Sequence, residues 1–216
     1  MNDLHPSWLI FSDGFLQNPI RLLSKRVFDL VASSALLLVT APVMLMAAVA
    51  ILIESGSRGP IIYRQTRVGQ GGKPFRLMKF RSMVVDAEQD GVAQWAQKGD
   101  SRVTRVGCCM RKTRIDELPQ IFNVFKGDMS FVGPRPERPE FVEKLSEKIP
   151  FYLARHRVKP GITGWAQICY PYGASEEDAI QKMQYDFYYV KNHSWFLDLM
   201  ILLNTVEVVL WGKGAR

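Results

Sequence analysis

Two adjacent carboxylates, Asp116 and Glu117, lie among the cations Arg111, Lys112 and Arg114. Clusters of this kind are most often solvated surface ion pairs that contribute little to stability. They can instead face a phosphate group, because the cations attract its negative charge and leave the carboxylates beside it. The sequence that follows the pair favours this second interpretation.

The residues after the carboxylates predict a short helix. Its apolar face recurs at helical spacing and consists of Leu118, Ile121, Phe122 and Phe125. Pro119 fits the first turn, where its missing N–H is not needed, and Gly127 is a typical C-terminal stop. The carboxylates would then lie at the helix N-terminus, where the macrodipole favours negative charge and free N–H groups can meet an anion.

A stiff turn after this helix presents another cation. In Gly133-Pro134-Arg135-Pro136 the two prolines fix φ, so Arg135 projects from a rigid backbone. A planar guanidinium held in this way suits bidentate contact with phosphate. Together the helix and the turn predict carboxylates that face a phosphate site.

A predicted hairpin carries further cations. Its strands are Ile61–Val68 and Pro74–Phe80, joined by a glycine-rich turn at 69–72. Lys79 and Arg81 alternate with an apolar residue and so share one face, which is either solvated or directed at phosphate. The glycines match neither a dinucleotide fingerprint nor a P-loop.

Two other segments flank this region. The polar, acidic stretch from Asp86 to Asp100 is expected to form a helix and a loop beside the site. After Lys159 the chain makes a tight turn in which Gly161 and Gly164, on either side of Thr163, permit close backbone approach.

Composition limits the classes of partner. With 216 residues and 47% hydrophobic content, the chain can form one domain, or a smaller domain with a membrane element. A net charge of +7 implies an anionic partner, which is nucleic acid, an acidic membrane surface or a phosphorylated substrate. The three cysteines suit reduced thiols, and the three histidines lack metal-binding spacing and are expected to be structural or on the surface.

An uncharged stretch, Leu30–Ile53, is long enough to span a bilayer. Positive residues flank both of its ends, and such residues hold a flank in the cytoplasm; they are Arg21, Lys25, Arg26, Arg58, Arg64 and Arg67. Pro42 interrupts helical hydrogen bonding near the middle, and Thr40 is expected to satisfy a freed carbonyl. A helix broken at Ala41-Pro42 that enters and leaves by one face fits these features, and a straight span with a proline kink is the alternative.

The C-terminal stretch Trp195–Trp211 is apolar, carries three polar residues and has tryptophan at each end. Tryptophan anchors of this kind are typical of helices that lie on a membrane. A core helix or a dimer helix explains the same pattern, and the sequence alone does not distinguish these interpretations.

Five ordered motifs together resemble those of the bacterial sugar transferases, the monotopic polyprenyl-phosphate phosphoglycosyl transferases. They are Lys79-Phe80-Arg81-Ser82-Met83, Asp116-Glu117-Leu118-Pro119-Gln120, Lys126-Gly127-Asp128-Met129-Ser130, Gly133-Pro134-Arg135-Pro136 and the run from Lys159 to Trp165. The resemblance extends from about Lys25 to the C-terminus. Residues 1–24 resemble the linker that precedes this domain in larger members, so we expect the chain to be part of a longer protein.

The resemblance implies a mixed α/β fold: a re-entrant membrane helix at 25–56, a small cytosolic catalytic domain at 57–191 and an interfacial amphipathic helix at 192–216. It also implies transfer of a sugar-1-phosphate from a UDP-sugar to undecaprenyl phosphate with release of UMP, the first membrane step of exopolysaccharide or related glycan synthesis. Mg²⁺ is the expected cofactor, and the cytoplasmic face of the bacterial inner membrane is the expected location. Membrane lipid is an expected partner, nucleic acid is not, and a homodimer is an open alternative.

The resemblance also assigns roles to single residues. It implies that Asp116 is a nucleophile that forms a covalent aspartyl phosphosugar and that Glu117 is a Mg²⁺ ligand. The basic residues Lys79, Arg81, Arg111 and Arg135, with Gly161 and Thr163, are expected to bind substrate or its phosphates. Pro42 matches the proline of the helix break, although Ala41 stands where many members have serine.

Two other functions remain open from the residues themselves. A polybasic membrane adaptor explains the charge and the amphiphilic ends but gives the carboxylate pair no role. A membrane-bound nucleotide-sugar hydrolase uses the same acids and needs no lipid phosphate. Release of UMP, and its dependence on lipid phosphate, distinguishes the three functions.

Overall fold

The computed structural model describes residues 19–56, 58–85, 87, 100–170 and 176–211. Most of the expected linker at 1–24, and nearly all of the flanking segment from Asp86 to Asp100, lie outside the described residues. Within them the chain is helix-rich with two small sheets, so the expected mixed α/β class is confirmed.

The helices are α1 (Pro19–Ser55), α2 (Arg105–Lys112), α3 (Gln120–Lys126), α4 (Pro139–Lys148), α5 (Trp165–Cys169), α6 (Glu176–Asn192) and α7 (Trp195–Trp211). The strands are β1 (Ile62–Val68), β2 (Pro74–Phe80), β3 (Ser130–Val132) and β4 (Gly161–Thr163). Short 3-10 turns at Gln70–Gly72, Ile115–Glu117 and Tyr152–Arg157 connect some of these elements.

The predicted hairpin is confirmed. Strands β1 and β2 pair antiparallel, with Val68 opposite Pro74 next to the turn. Gly71 and Gly72 have φ values of 66° and 77°, in the left-handed region that favours glycine. The hairpin therefore follows from local sequence, and it places Lys79 at the far end of β2.

The second sheet is a short parallel pair of β3 and β4, with Ser130 opposite Gly161 and Val132 opposite Thr163. A Cβ atom added to Gly161 would collide with the backbone of Gly133. Only glycine fits at this contact, so the expected close backbone approach is confirmed. The contact holds the turn that carries Arg135 against β4.

Helix α1 runs for 37 residues, about 55 Å at ~1.5 Å per residue, and Pro42 lies inside it. It is long and apolar enough to cross a membrane, and only 11% of its most apolar stretch is buried in the protein. The helical assignment continues through Pro42, so a separation into two helices at Ala41-Pro42 is not observed. Because Pro42 has no N–H, the Leu38 carbonyl lacks its usual helical donor. Thr40 Oγ1 donates to the Leu36 carbonyl at 2.6 Å instead, and so does not take the place of that donor.

The N-terminal turns of α1 belong to the folded domain. Lys25 Nζ lies 2.6 Å from Asp198 Oδ2 on α7. Arg26 donates to the carbonyls of Val124 and Phe125 at 2.7 and 2.8 Å, where α3 ends. Two cations expected to mark a cytoplasmic flank therefore bind other parts of the domain. Helix α1 begins at Pro19, upstream of the membrane segment expected at 25–56.

Helix α7 confirms the predicted helix Trp195–Trp211. Leu197 and Ile201 are buried in the main core, as the core-helix interpretation predicts. The opposite face leaves large apolar side chains exposed, namely Phe196, Leu199, Leu203 and Val206. The helix thus packs against the domain on one side and leaves an apolar surface on the other.

Candidate active site

The carboxylate pair lies in a tight 3-10 turn, Ile115–Glu117. Arg114 opens this turn in the left-handed conformation at φ 58°, which is uncommon for a residue with a side chain. Pro119 has no N–H to donate to the Ile115 carbonyl, and Leu118 N donates to it instead at 3.2 Å. The expectation that the pair begins the helix is therefore corrected: the pair precedes α3, which starts at Gln120.

The buried face of α3 also differs from the predicted one. Ile121 is buried, but Phe122 and Phe125 are 41% and 45% exposed, and Asn123 and Val124 are buried in their place. Asn123 Nδ2 donates to the Arg76 carbonyl at 2.8 Å and its Oδ1 accepts from Met78 N at 3.0 Å. A single amide thus joins α3 to β2, the strand that carries Lys79.

Glu117 is held between two cations. Its Oε1 accepts from Lys79 Nζ at 2.7 Å and from Arg135 Nη2 at 3.1 Å. Burial by itself would raise the pKa of Glu117, but the charges of Lys79 and Arg135 outweigh it and hold this pKa well below its ordinary value. Three of the predicted site residues, from three separate segments, therefore meet at one carboxylate.

Asp116 is buried beside the ion pairs of Glu117. The residue is only 7% exposed, and its Oδ1 has no hydrogen-bond partner among the described residues. Burial, and next the Glu117 charge, raise the pKa of Asp116 above 3.8, although Lys79, Arg111 and Arg114 act in the opposite direction. A buried carboxylate oxygen without a partner is costly, and such atoms often serve a ligand or a reaction.

Arg111 is fixed near Asp116 by the packing of α2. Its Nε donates to Ser82 Oγ at 2.9 Å, just after β2. Gly107 packs against the Ser82 backbone so closely that a Cβ atom would collide with the Ser82 carbonyl. The sequence places Arg111 among the cations beside the pair, and the resemblance implies that it binds phosphate, but neither indicates the supporting contacts at Ser82 and Gly107.

Three other predicted site residues do not contact the carboxylate pair in the described structure. Arg81 Nη1 donates to the Arg58 carbonyl at 2.8 Å, between α1 and β1. The Thr163 hydroxyl lies 2.7 Å from that of Thr205 on α7, and Gly161 serves the backbone packing of β4. Their expected roles in substrate binding stay predictions.

Glu117 fits a magnesium ion that also binds substrate. The described residues contain no group of three or more His, Cys, Asp or Glu side chains placed to hold a metal. Mg²⁺ in phosphoryl-transfer sites commonly uses one or two carboxylates and completes its shell with phosphates and water. Glu117, the expected ligand, accepts from both cations at Oε1, so its second oxygen suits such an ion.

Comparison with known proteins agrees with the motifs. The family model described as bacterial sugar transferase matches residues 20–212. A UDP-N-acetylgalactosamine-undecaprenyl-phosphate N-acetylgalactosaminephosphotransferase of Aeromonas hydrophila is 51% identical over 203 residues, 94% of this chain and 47% of that protein. A UDP-glucose:undecaprenyl-phosphate glucose-1-phosphate transferase of Klebsiella pneumoniae is 46% identical over 202 residues, 92% of this chain and 42% of that protein.

A protein of the same glucose-1-phosphate transferase name from Caulobacter vibrioides is 46% identical over 195 residues, 89% of this chain and 72% of that protein. The chain thus spans less than half the length of the first two relatives and more of the third. In all three cases the similarity covers about nine tenths of this chain, and the residues that the family model matches include every element that forms the site.

Proposed function

The chain belongs to the bacterial sugar transferase family, and we propose that it transfers a sugar-1-phosphate from a UDP-sugar to undecaprenyl phosphate, releasing UMP. Three similar proteins are named as undecaprenyl-phosphate sugar-phosphate transferases, which supports this reaction class. Their names differ in the sugar, N-acetylgalactosamine in one and glucose in two, so the sugar is left to experiment.

The observation that carries the proposal is the contrast between the two carboxylates. Glu117 is clamped by Lys79 and Arg135, whereas the adjacent Asp116 has a buried oxygen that accepts no hydrogen bond from the described residues. A surface ion pair would expose both acids and pair them with arginines. An oxygen that is shielded, lacks a partner and lies among cations suits attack on a phosphate.

In the first step, Asp116 Oδ1 attacks the phosphorus that bears the sugar. The bridging P–O bond of the diphosphate breaks, and its electron pair leaves with UMP while an aspartyl phosphosugar forms. Lys79, Arg111 and Arg135 neutralise the diphosphate and so reduce repulsion of the incoming carboxylate. Mg²⁺, when bound at Glu117, would add charge neutralisation at the phosphates.

In the second step, a phosphate oxygen of undecaprenyl phosphate attacks the same phosphorus. The bond to Asp116 breaks and its electron pair returns to the carboxylate, which restores the enzyme. One phosphoanhydride replaces another over the two steps, so the chain's main task is to position the reactants.

We place the site at the cytoplasmic face of the inner membrane. The exposed Phe122 and Phe125 lie on α3, directly after the carboxylate turn, and the exposed face of α7 is also apolar. Contact of these surfaces with lipid would bring Asp116 within reach of a lipid phosphate. A re-entrant α1 fits this placement, and a straight span is the alternative topology. For the exposed apolar face of α7, the alternative to lipid is contact with a second copy of the chain.

The experiment is an assay of purified protein with a panel of UDP-sugars, with and without undecaprenyl phosphate. A transferase releases at most one UMP per chain without lipid, carries the sugar-phosphate mass on Asp116, and turns over continuously once lipid is added. An adaptor releases no UMP, and a hydrolase releases UMP continuously without lipid. Glu147→Gln, at an exposed helical carboxylate, is the matched control for Asp116→Asn.

A further inference from the structure

The turn that carries Arg135 is held almost entirely by its carbonyl groups. Pro134 and Pro136 have no N–H, so they cannot anchor the turn as donors. Four successive carbonyls each accept a hydrogen bond: Pro134 from Gly161 N at 3.0 Å, Arg135 from Arg155 Nη2 at 2.8 Å, Pro136 from Arg67 Nη1 at 3.1 Å and Glu137 from Val68 N at 2.9 Å. Two of these donors are side-chain guanidinium groups.

Arg155 is the more deeply buried of the two guanidinium groups. Its side chain is 6% exposed, compared with 19% for Arg67. Nη1 donates to Tyr152 Oη at 2.8 Å, and Nη2 donates to Asp186 Oδ2 on α6 at 2.7 Å as well as to the Arg135 carbonyl. Since Asp186 is itself buried, the guanidinium is fixed in one orientation by a side chain from another helix.

This arrangement connects α6 to the carboxylate site. Asp186 orients Arg155, Arg155 holds the Arg135 carbonyl, and the Arg135 side chain reaches Glu117. A buried ion pair often adds little net stability compared with apolar packing, so stability alone is a weak reason for placing one here. Misplacement of a phosphate-binding group by about 1 Å, in contrast, can cost ~100-fold in rate.

We propose that Arg155, oriented by Asp186, is a positioning residue that sets the placement of the Arg135 guanidinium for the substrate diphosphate. The inference rests on the proposed function and deepens it, because it adds two residues with no expected role in the site. Arg155 touches no reacting atom. It acts through the backbone of Arg135.

The test is a double-mutant cycle of Arg155→Lys and Arg135→Ala, measured as kcat/KM for the UDP-sugar and as Kd for UDP. Lysine keeps the charge next to Asp186 but cannot reproduce the planar fork that makes three contacts. We expect Arg155→Lys to lower kcat/KM by about 10- to 100-fold and to weaken UDP binding. In the Arg135→Ala background the same change should have less than about a twofold effect, because the positioned group is already gone.

The matched control is Arg102→Lys. Arg102 also joins an aspartate and a backbone carbonyl, Asp100 at 2.6 Å and Ala87 at 2.9 Å, and neither of these partners belongs to the Arg135 turn. It should keep kcat/KM within about twofold of wild type. If Arg155→Lys does not fold, Arg155→Gln with Asp186→Asn replaces it in the cycle, since this pair leaves no unpaired buried charge.

Equal losses in the wild-type and Arg135→Ala backgrounds would overturn the inference and leave Arg155 with a role in stability only. Wild-type kcat/KM and UDP affinity in folded Arg155→Lys would also overturn it. Failure of the wild type to release UMP from any UDP-sugar would instead count against the proposed function. In that case the double-mutant cycle measured as Kd for UDP would still decide the role of Arg155.

Discussion

Lys79 Nζ and Glu117 Oε1 lie 2.7 Å apart, although they are 38 residues apart in the chain. Asn123 joins the same two parts of the fold through its hydrogen bonds to the backbone of β2. The ion pair is therefore formed within a rigid frame and not between two independent loops. This frame orients Glu117 and leaves the adjacent Asp116 as the carboxylate with a buried oxygen that accepts no hydrogen bond from the described residues.

Glu117→Gln should weaken both the fold and the reaction. It leaves Lys79 and Arg135 without their shared counter-ion in a largely buried site, which we expect to cost about 1–3 kcal/mol in the free energy of unfolding. Thermal unfolding and a Mg²⁺ titration of turnover measure the two effects. Partial recovery of turnover at excess Mg²⁺ would indicate a metal ligand, and full turnover at ordinary Mg²⁺ would contradict that role. An unchanged Tm would contradict the predicted loss of stability.

Asp116→Asn should abolish turnover, by about 10⁴-fold or more, and yet stabilise the protein at neutral pH. The folded pKa of Asp116 is raised above 3.8, so its protonated form stabilises the fold and this contribution is lost as the pH rises through the folded pKa. The Tm of the variant should therefore exceed that of wild type at pH 7.5, and the difference should shrink as the pH falls towards 3.8. A lower Tm of the variant at pH 7.5 would contradict the raised pKa.

The acid limb of the rate profile should reflect the same group. Attack requires the ionised carboxylate, and burial together with the Glu117 charge raises the pKa of Asp116. We expect kcat/KM to fall, as the pH is lowered, at a pH above the ordinary aspartate value of 3.8. An acid limb at or below that value, measured where the protein stays folded, would mean that another group limits the reaction.

Arg135→Lys should lower turnover by about 10- to 100-fold with little change in Tm. The Arg135 side chain is 37% exposed, so it adds little to the fold, and the flanking prolines and the bound carbonyls still shape the turn. Turnover and thermal unfolding are measured on the same preparation, with Arg138→Lys nearby as the control. Turnover near that of wild type would limit Arg135 to a structural role.

The proposed re-entrant arrangement of α1 predicts that both of its ends face the cytoplasm. Single cysteines replacing the exposed Leu23 and Arg58, in a chain cleared of its own three cysteines, should react with an impermeant thiol reagent only from the cytoplasmic side. Inside-out and right-side-out membrane vesicles separate the two sides. Labelling of the two positions from opposite faces would establish a single span.

Two features that depend on neighbours in sequence were predicted correctly. The hairpin of β1 and β2, with its glycine turn, and the helix Trp195–Trp211 both follow from local spacing and residue type. The 3-10 turn before α3 was not predicted, although its cause is also local: Pro119 has no N–H, so Leu118 N donates to the Ile115 carbonyl instead. The motif resemblance found the family before any contact was known.

The sequence by itself determined the family and the candidate site residues, because motifs and the spacing of apolar and charged side chains are local properties. Only the tertiary structure decided what each residue contacts. Lys25 pairs with Asp198, Asn123 with β2, and Arg155 with Asp186 and the Arg135 carbonyl, each across a long chain separation. Local spacing does not encode such pairs, since packing of the whole domain sets them. The same packing exposes Phe122 and buries Asn123, against the order that their polarity predicts.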